Sequence, residues 1–314
     1  MFVLYSFIGK LPQYIIYNVY QTRLFFDGDI YLIIDDINSQ YLEKLKQFNV
    51  KIVNYDDVID VNFSNLMKKK LQYFHYIHGL TGRELLFSRC NERFFLAANL
   101  MKKFNLENCI FLELDVLIYK EPENLYLNFK NSNKDFAIIY DSPVWKTIST
   151  CICFIKNKNS IDNLLNYILS FINNIDRCDF YGEMTTIYKY YYEYNLEDKT
   201  NIYILPSFPN FNNKNINKES YENYLNDCGL FDPLQYGIYL LGEDPFHNNG
   251  ILVKNKIFDR YAINCKDYEF KWELDEKKRK IPYIKVDNKW ILMNNLHCHG
   301  KNLDEGISCP FLLE

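Results

Sequence analysis

The order of segments in the first half of this chain leaves few folds open. Phe2–Phe7, Ile30–Ile34 and Val50–Val53 are short apolar runs, and between them Tyr14–Phe26 and Tyr41–Phe48 carry helical spacing. A strand that is apolar on both sides must be covered on both, so runs of this kind belong to buried parallel strands. Strand, helix, strand, helix, strand in that order predicts a parallel sheet with helices on its faces. Ile15, Val19 and Leu24 are the expected core contacts of the first helix; Gly9 and Pro12 break the chain before it, and Asp27-Gly28-Asp29 turns it afterwards.

The pattern continues with helices over Met67–His78 and Cys90–Phe104, the second carrying Phe94, Ala97, Ala98 and Met101 on one side. Cys109–Leu112 is the next strand; it leads through Glu113-Leu114-Asp115 into Val116–Tyr119 and a helix-breaking Pro122. Beyond this the spacing predicts strands over Phe136–Tyr140 and Ile148–Ile155, then helices over Ile161–Ile172 and the Tyr-rich Glu183–Glu193. Asn210–Asn217 is a polar loop; Pro282–Val286 and Trp290–Met293 flank a turn at Asp287-Asn288, and Asn294–Lys301 is strand-like. No internal repeat and no linker-like break occurs, so residues 1–314 are expected to form one domain with two subregions, approximately 1–119 and 120–314.

Composition narrows the function. At 48% hydrophobic and 24% charged the chain is globular rather than disordered. Its net charge of -4 is spread over mixed signs, without the clustered basic face of a nucleic-acid binder; Met67-Lys68-Lys69-Lys70 reads as a solvated helix face. The aromatic share of 17% fits the codon bias of an AT-rich genome, although a ring face also packs against a sugar. Nine Cys, an odd number with no C-x-x-C pair, read as buried free thiols. Cys151 and Cys153 would share one face of a strand, and the expected compartment is reducing, the cytoplasm of the producing or host cell. Met1–Gly9 is too short to span a bilayer and has no basic n-region, and no run reaches about eighteen apolar residues, so no transmembrane anchor is expected.

Four segments carry candidate chemistry. In Phe111–Tyr119, Glu113 and Asp115 stand two residues apart where a buried strand reaches the sheet edge, the place where such sheets bind ligands. In extended backbone both carboxylates face one side, and hard oxygens suit Mg2+ or Mn2+, which also take phosphate oxygens. Solvated acids at a strand end would share the same spacing. In Asn294–Lys301, His297 and His299 alternate and so share a face if the segment is a strand. Lys301 supplies a point charge for phosphate, and Gly300 lets backbone approach a ligand. Two ordinary histidines at a strand edge are the plainer reading. In Asp179–Met184, Glu183 begins a helix, where the dipole favours an acid in any case; the functional reading aims it at an acceptor hydroxyl. Phe231–Pro245 is rich in Gly, Asp and Pro, hence a loop scaffold or a polar rim for sugar hydroxyls.

Together these segments resemble a group of GT-A glycosyltransferases found in viral and bacterial chains. Glu92-Arg93, a helix and then Leu112–Tyr119 resemble an Arg-bearing helix before an acidic metal motif, with Glu113 replacing the first Asp of Asp-x-Asp. Phe231-Asp232, Gly237, Tyr239, Gly242 and Asp244-Pro245 match F-D-x-x-x-x-G-x-Y-x-x-G-x-D-P, and Leu296–Lys301 resembles the group's C-terminal His-containing strand. An H-x-x-G found in related transferases maps to His297 and Gly300.

The resemblance implies a GT-A, Rossmann-like α/β fold: a mostly parallel central sheet with helices on both faces and a smaller acceptor-side subregion. It implies a metal-dependent hexosyltransferase using Mn2+ or Mg2+ and a nucleotide-diphosphate sugar, UDP-linked, with a glycan or protein acceptor. Residues 1–119 would be the nucleotide-sugar half and 120–314 the acceptor half. The implied metal ligands are Glu113, Asp115, His297 and His299. Ser6, Phe7, Asp35, Arg93, Asp115, Gly300 and Lys301 would meet the donor, Asp232 and Tyr239 the acceptor or sugar, and Glu183 and Asp244 would be catalytic. The chain departs from the group at Gly182-Glu183-Met184, where Asn-Asp-Met is usual, and at Arg89 and Asn91, where small hydroxyl residues are expected. Two other functions compete: a degenerate, non-catalytic sugar- or nucleotide-binding protein, and a metal-dependent phosphotransferase, against which Glu113 in the leading position argues.

Overall fold

The computed structural model describes residues 1–74, 84–142, 147–174, 182–194, 201–209, 218–227, 229–242 and 263–310. The chain begins β1 (Phe2–Phe7), α1 (Ile15–Arg23), β2 (Asp29–Ile34), α2 (Leu42–Gln47), β3 (Val50–Asn54), as the apolar runs predict. Helices α3 (Val61–Phe74) and α4 (Glu84–Phe104) precede β4 (Cys109–Leu112) and β5 (Val116–Ile118). Then come α5 (Pro122–Asn131), β6 (Phe136–Ser142), β7 (Thr147–Ile155), α6 (Asp162–Asn173) and α7 (Glu183–Lys189), which passes into a π-helical turn at Tyr190–Tyr194. The rest is β8 (Ile202–Leu205), α8 (Lys218–Asp227), β9 (Gly229–Leu230), α9 (Gln235–Leu241), β10 (Phe270–Leu274), β11 (Lys280–Val286), β12 (Lys289–Met293), β13 (Asn295–His297) and α10 (Leu303–Gly306).

The fold is α/β. Its central sheet has seven strands in the order β3-β2-β1-β4-β7-β6-β8. All neighbouring pairs are parallel except those made by β7, which runs antiparallel to β4 and β6. The strands are almost wholly buried, and their side chains join a continuous hydrophobic cluster with those of α1, α4, α5 and α6. Among the described residues no helix is long and apolar enough to cross a membrane.

Several elements differ from the sequence expectation for local reasons. Pro122 opens α5 instead of breaking a helix: at the first helical position its missing N–H costs nothing. Helix α3 starts at Val61, six residues before the expected Met67, because the Asp60 carboxylate caps it by accepting the Phe63 N–H at 2.8 Å. Its expected end at His78 lies outside the described residues, as does the loop at Asn210–Asn217. The Asp287-Asn288 turn is present, with both residues at positive φ (46° and 63°), the twist a two-residue hairpin requires. The segment 231–242, read as a loop scaffold, contains α9.

Two small sheets bring the far end of the chain to the middle. One has the order β10-β11-β12-β9; the other pairs β13 with β5, antiparallel, with His297 opposite Val116. Helix α9 lies so close to β13 that a Cβ on Gly237 would stand 2.0 Å from the His297 carbonyl oxygen. Backbone cannot yield there as a side chain can. Gly237→Ala is therefore expected to destabilise the fold by about 3 kcal/mol in urea unfolding; a loss below about 1 kcal/mol would mean that α9 moves off β13 freely.

Candidate metal centre

Helix α1 has only a weak apolar stripe, because Asn18, Gln21 and Thr22 on it are fully buried and hydrogen-bonded. The Tyr5 hydroxyl donates to Asn18 Oδ1 at 2.8 Å, and Asn18 Nδ2 donates to the carbonyls of Glu113 (3.3 Å) and Leu114 (2.6 Å). Gln21 Nε2 donates to the Ile118 carbonyl at 2.7 Å on the far side of the same segment. A buried polar face of α1 thus holds the Glu113-Leu114-Asp115 turn from below, while the Glu113 N–H still reaches the Cys151 carbonyl of β7 at 2.9 Å.

From the other end of the chain, β13 delivers His297 to this turn. The Asp115 carbonyl accepts the Cys298 N–H at 2.7 Å. His297 Nε2 lies 3.3 Å from Asp115 Oδ2 and 3.5 Å from Glu113 Oε2. Glu113, Asp115 and His297 each offer a ligand atom within 4.8 Å of the others, so they could hold a metal ion. Two carboxylates and one imidazole form a hard-to-borderline donor set, which suits Mn2+ or Mg2+ and fits the implied cofactor.

His299 is not in that group. The expected strand Asn294–Lys301 ends at His297, where the chain turns: the His299 N–H returns to the His297 carbonyl at 2.9 Å and Lys301 takes a left-handed φ of 61°. The two imidazoles therefore do not alternate on one strand face. Gly300 is small for a packing reason of its own, since a Cβ there would stand 3.2 Å from the Gly242 backbone.

Three cations surround the acids. Arg93, on α4 and only 4% exposed, donates to Glu113 Oε1, to Thr150 and, at 3.1 Å, to Glu183 Oε1. One Glu113 oxygen takes Arg93 while the other faces His297. Lys301 Nζ is bound to Asp115 Oδ2. Burial raises the Asp115 carboxyl, but Lys301 and His297 outweigh it and hold it well below the usual carboxylate range. For His297 burial opposes the charge, yet Asp115 wins and holds the imidazole well above its ordinary value.

A metal ligand must be the neutral imidazole, and Asp115 makes His297 hold its proton more tightly than a free imidazole does, so metal binding there should release a proton. Between about pH 6 and about pH 8 the Mn2+ affinity should rise by up to about tenfold per unit. Calorimetry at several pH values reads this directly, and a flat profile would contradict the His297 ligand.

Ser6, Phe7, Asp35, Arg93, Glu113, Asp115 and Lys301 line one cleft of about 590 Å3 at the carboxyl ends of β1, β2 and β4. Glu183 is buried beside it, tied through Arg93; burial pushes its carboxyl up despite the guanidinium. Asp244 lies outside the described residues. Asp232 and Tyr239, expected at the acceptor or sugar, do not line this cleft. Asp232 is fully buried, and its two oxygens accept the N–H groups of Leu234, Tyr236, Gly237 and His297. It caps α9 and anchors the His297 backbone. Tyr239 is 40% exposed on α9, with its ring centroid 5.4 Å from that of Phe270.

Sequence reasoning noted Arg89 only as a departure from the group and missed its place in the cleft, where it is held by Tyr55 (2.7 Å) and by the buried Glu92. The signal was there, since Arg89 precedes Arg93 by one helical turn and so shares its face. It also missed Asp141, buried with a pKa pushed up to about 6 by burial and bonded to Gln235 at 2.7 Å. Nothing in the local sequence marks that one.

No family model and no curated protein matches this chain. Among solved structures it is similar to mouse xyloside xylosyltransferase 1 in its apo form, at 14% identity over 65% of this chain and 84% of that one, TM-score 0.43. It is similar to the PaToxG glycosyltransferase at 17% identity over 63% and 72%, TM-score 0.38. It is also similar to a glycosyltransferase involved in glycosylation of the major capsid of PBCV-1, at 14% identity over 62% and 74%, TM-score 0.31. Likenesses of this degree carry no functional argument, which rests on the chemistry of the site.

Proposed function

We propose that this chain is a metal-dependent glycosyltransferase that moves a sugar from a UDP-linked donor to a hydroxyl group of a glycan or protein, with Mn2+ or Mg2+. One observation supports the reading above the rest: Glu113 and Asp115 from mid-chain and His297 from near the end converge beside a cleft at the carboxyl ends of parallel strands. Ligands of such sheets bind at that edge.

In this reading Glu113, Asp115 and His297 Nε2 hold the ion. When bound, a divalent ion supplies Lewis-acid stabilisation of the charge that builds on the leaving diphosphate. Lys301 adds a point charge for the phosphates. Ser6, Phe7 and Asp35 lie along the base and ribose. Arg93 fixes Glu113 and Glu183 relative to one another, so the metal ligand and the acceptor-side acid keep one spacing. Glu183 takes the acceptor hydroxyl, as base in an inverting reaction or as a holding group in a retaining one; its raised carboxyl suits the first role. The seven free thiols among the described residues accord with a reducing compartment, and we place the activity in the cytoplasm of the producing or host cell.

The test is a donor screen: several nucleotide sugars are incubated with the chain and Mn2+, and released nucleotide is measured, alongside UDP calorimetry with and without Mn2+. The expected result is Mn2+-dependent release from UDP-linked donors. Metal-linked UDP affinity without any turnover would mark a degenerate binding protein. Phosphate release from simple esters, with nucleotide sugars untouched, would mark a phosphotransferase.

A further inference from the structure

The cluster that would receive the cation is already neutralised from within. Glu113 pairs with Arg93, and Asp115 pairs with Lys301. The ammonium of Lys301 sits on Asp115 Oδ2, the same oxygen that faces His297 Nε2 at 3.3 Å. Glu113, Asp115 and Glu183 stand against Arg93, Lys301 and His297, so the cluster carries no net negative charge. A bare dication entering here meets no excess of negative charge and must also displace the ammonium. A diphosphate changes both conditions, since it brings its own negative charge and offers Lys301 another partner.

We propose that Lys301 is a built-in counter-ion that selects a divalent ion accompanied by a diphosphate over the ion alone. Its ammonium holds Asp115 in the free chain and exchanges to the diphosphate as the ion takes its place. The inference rests on the nucleotide-sugar reading above and adds to it the form in which the ligand arrives.

The backbone is built for such an exchange. Lys301 holds a left-handed φ of 61°, fixed by its N–H to the Cys298 carbonyl at 2.9 Å, and Cys298 is itself bonded to the Asp115 carbonyl. The root of the side chain is therefore rigid relative to Asp115. Its remainder is 37% exposed and lines the cleft with Asp115, Glu113 and Tyr14, so the ammonium can change partner without moving the turn. Because coupling free energies are reciprocal, the ion must tighten diphosphate binding by the same factor as the diphosphate tightens ion binding.

The test uses Mn2+ alone, UDP alone and both together, titrated into the full chain by calorimetry, with Mn2+ also followed by its electron paramagnetic resonance. Lys301→Met removes the ammonium, and Lys301→Asn removes it with a residue that tolerates positive φ. Without nucleotide, both variants should bind Mn2+ at least about tenfold tighter than the wild type, about 1.4 kcal/mol. The factor by which Mn2+ raises UDP affinity should be smaller in both. Unchanged or weaker Mn2+ binding by the folded Asn variant overturns the inference while leaving the nucleotide-sugar reading intact. Absence of any UDP binding by the wild type, with Mn2+ present, defeats that reading and the diphosphate half of this one. The Mn2+ comparison still decides the counter-ion half.

Discussion

Asp115→Asn should lower metal-dependent sugar transfer by at least about 10^3-fold, roughly 4 kcal/mol of barrier. The expectation follows from how much converges on one carboxylate. Asp115 Oδ2 receives Lys301 and faces His297, and the Asp115 carbonyl ties the turn to β13. An amide keeps the shape and the backbone tie. It removes a charge that would bind a dication, takes the partner from Lys301 and leaves His297 only Glu113 as a counter-charge. Loss of transfer should therefore come with loss of Mn2+-linked UDP affinity. Thermal unfolding of the variant separates this from collapse of the fold. Transfer within about tenfold of wild type, roughly 1.4 kcal/mol, would remove Asp115 from the proposed mechanism.

Asp232→Ala should destabilise the fold by about 4 kcal/mol, since unsatisfied buried donors cost on the order of 1–3 kcal/mol each and partial relaxation recovers some of that. The residue is fully buried, and four backbone N–H groups lose their acceptor together: three opening α9 and the one that carries His297. The same loss frees His297 to leave the carboxylates, so Mn2+ binding should weaken even where the variant remains folded. Urea unfolding and Mn2+ titration measure the two effects. A variant within about 1 kcal/mol of wild type, with Mn2+ affinity intact, would show that Asp232 anchors neither α9 nor the histidine.

Much of the fold was legible because buried strands carry their own label. Phe2–Phe7, Ile30–Ile34 and Cys109–Leu112 are apolar on both faces, and only a sheet covered on both sides accepts such segments. The Glu113-Leu114-Asp115 turn was legible for a related reason, two acids immediately after a run that has to be buried. The cap made by Asp232 was not legible because turn chemistry looks the same whether a carboxylate faces solvent or caps a buried helix. His299 stands outside the three-residue cluster because alternation implies a shared face only while a strand lasts, and the left-handed Lys301 belongs to a turn that ends it.

Local pattern alone therefore determined the α/β order, the core strands and one half of the candidate centre. The tertiary structure decided that β13 pairs with β5, which histidine meets the acids, and that Arg93 and Lys301 neutralise them. Periodicity reports which way a side chain faces within its own segment. Contacts between residues 115 and 297 depend instead on closing a long loop, and on buried polar side chains such as Asn18 and Asp232 whose partners lie far away in the sequence.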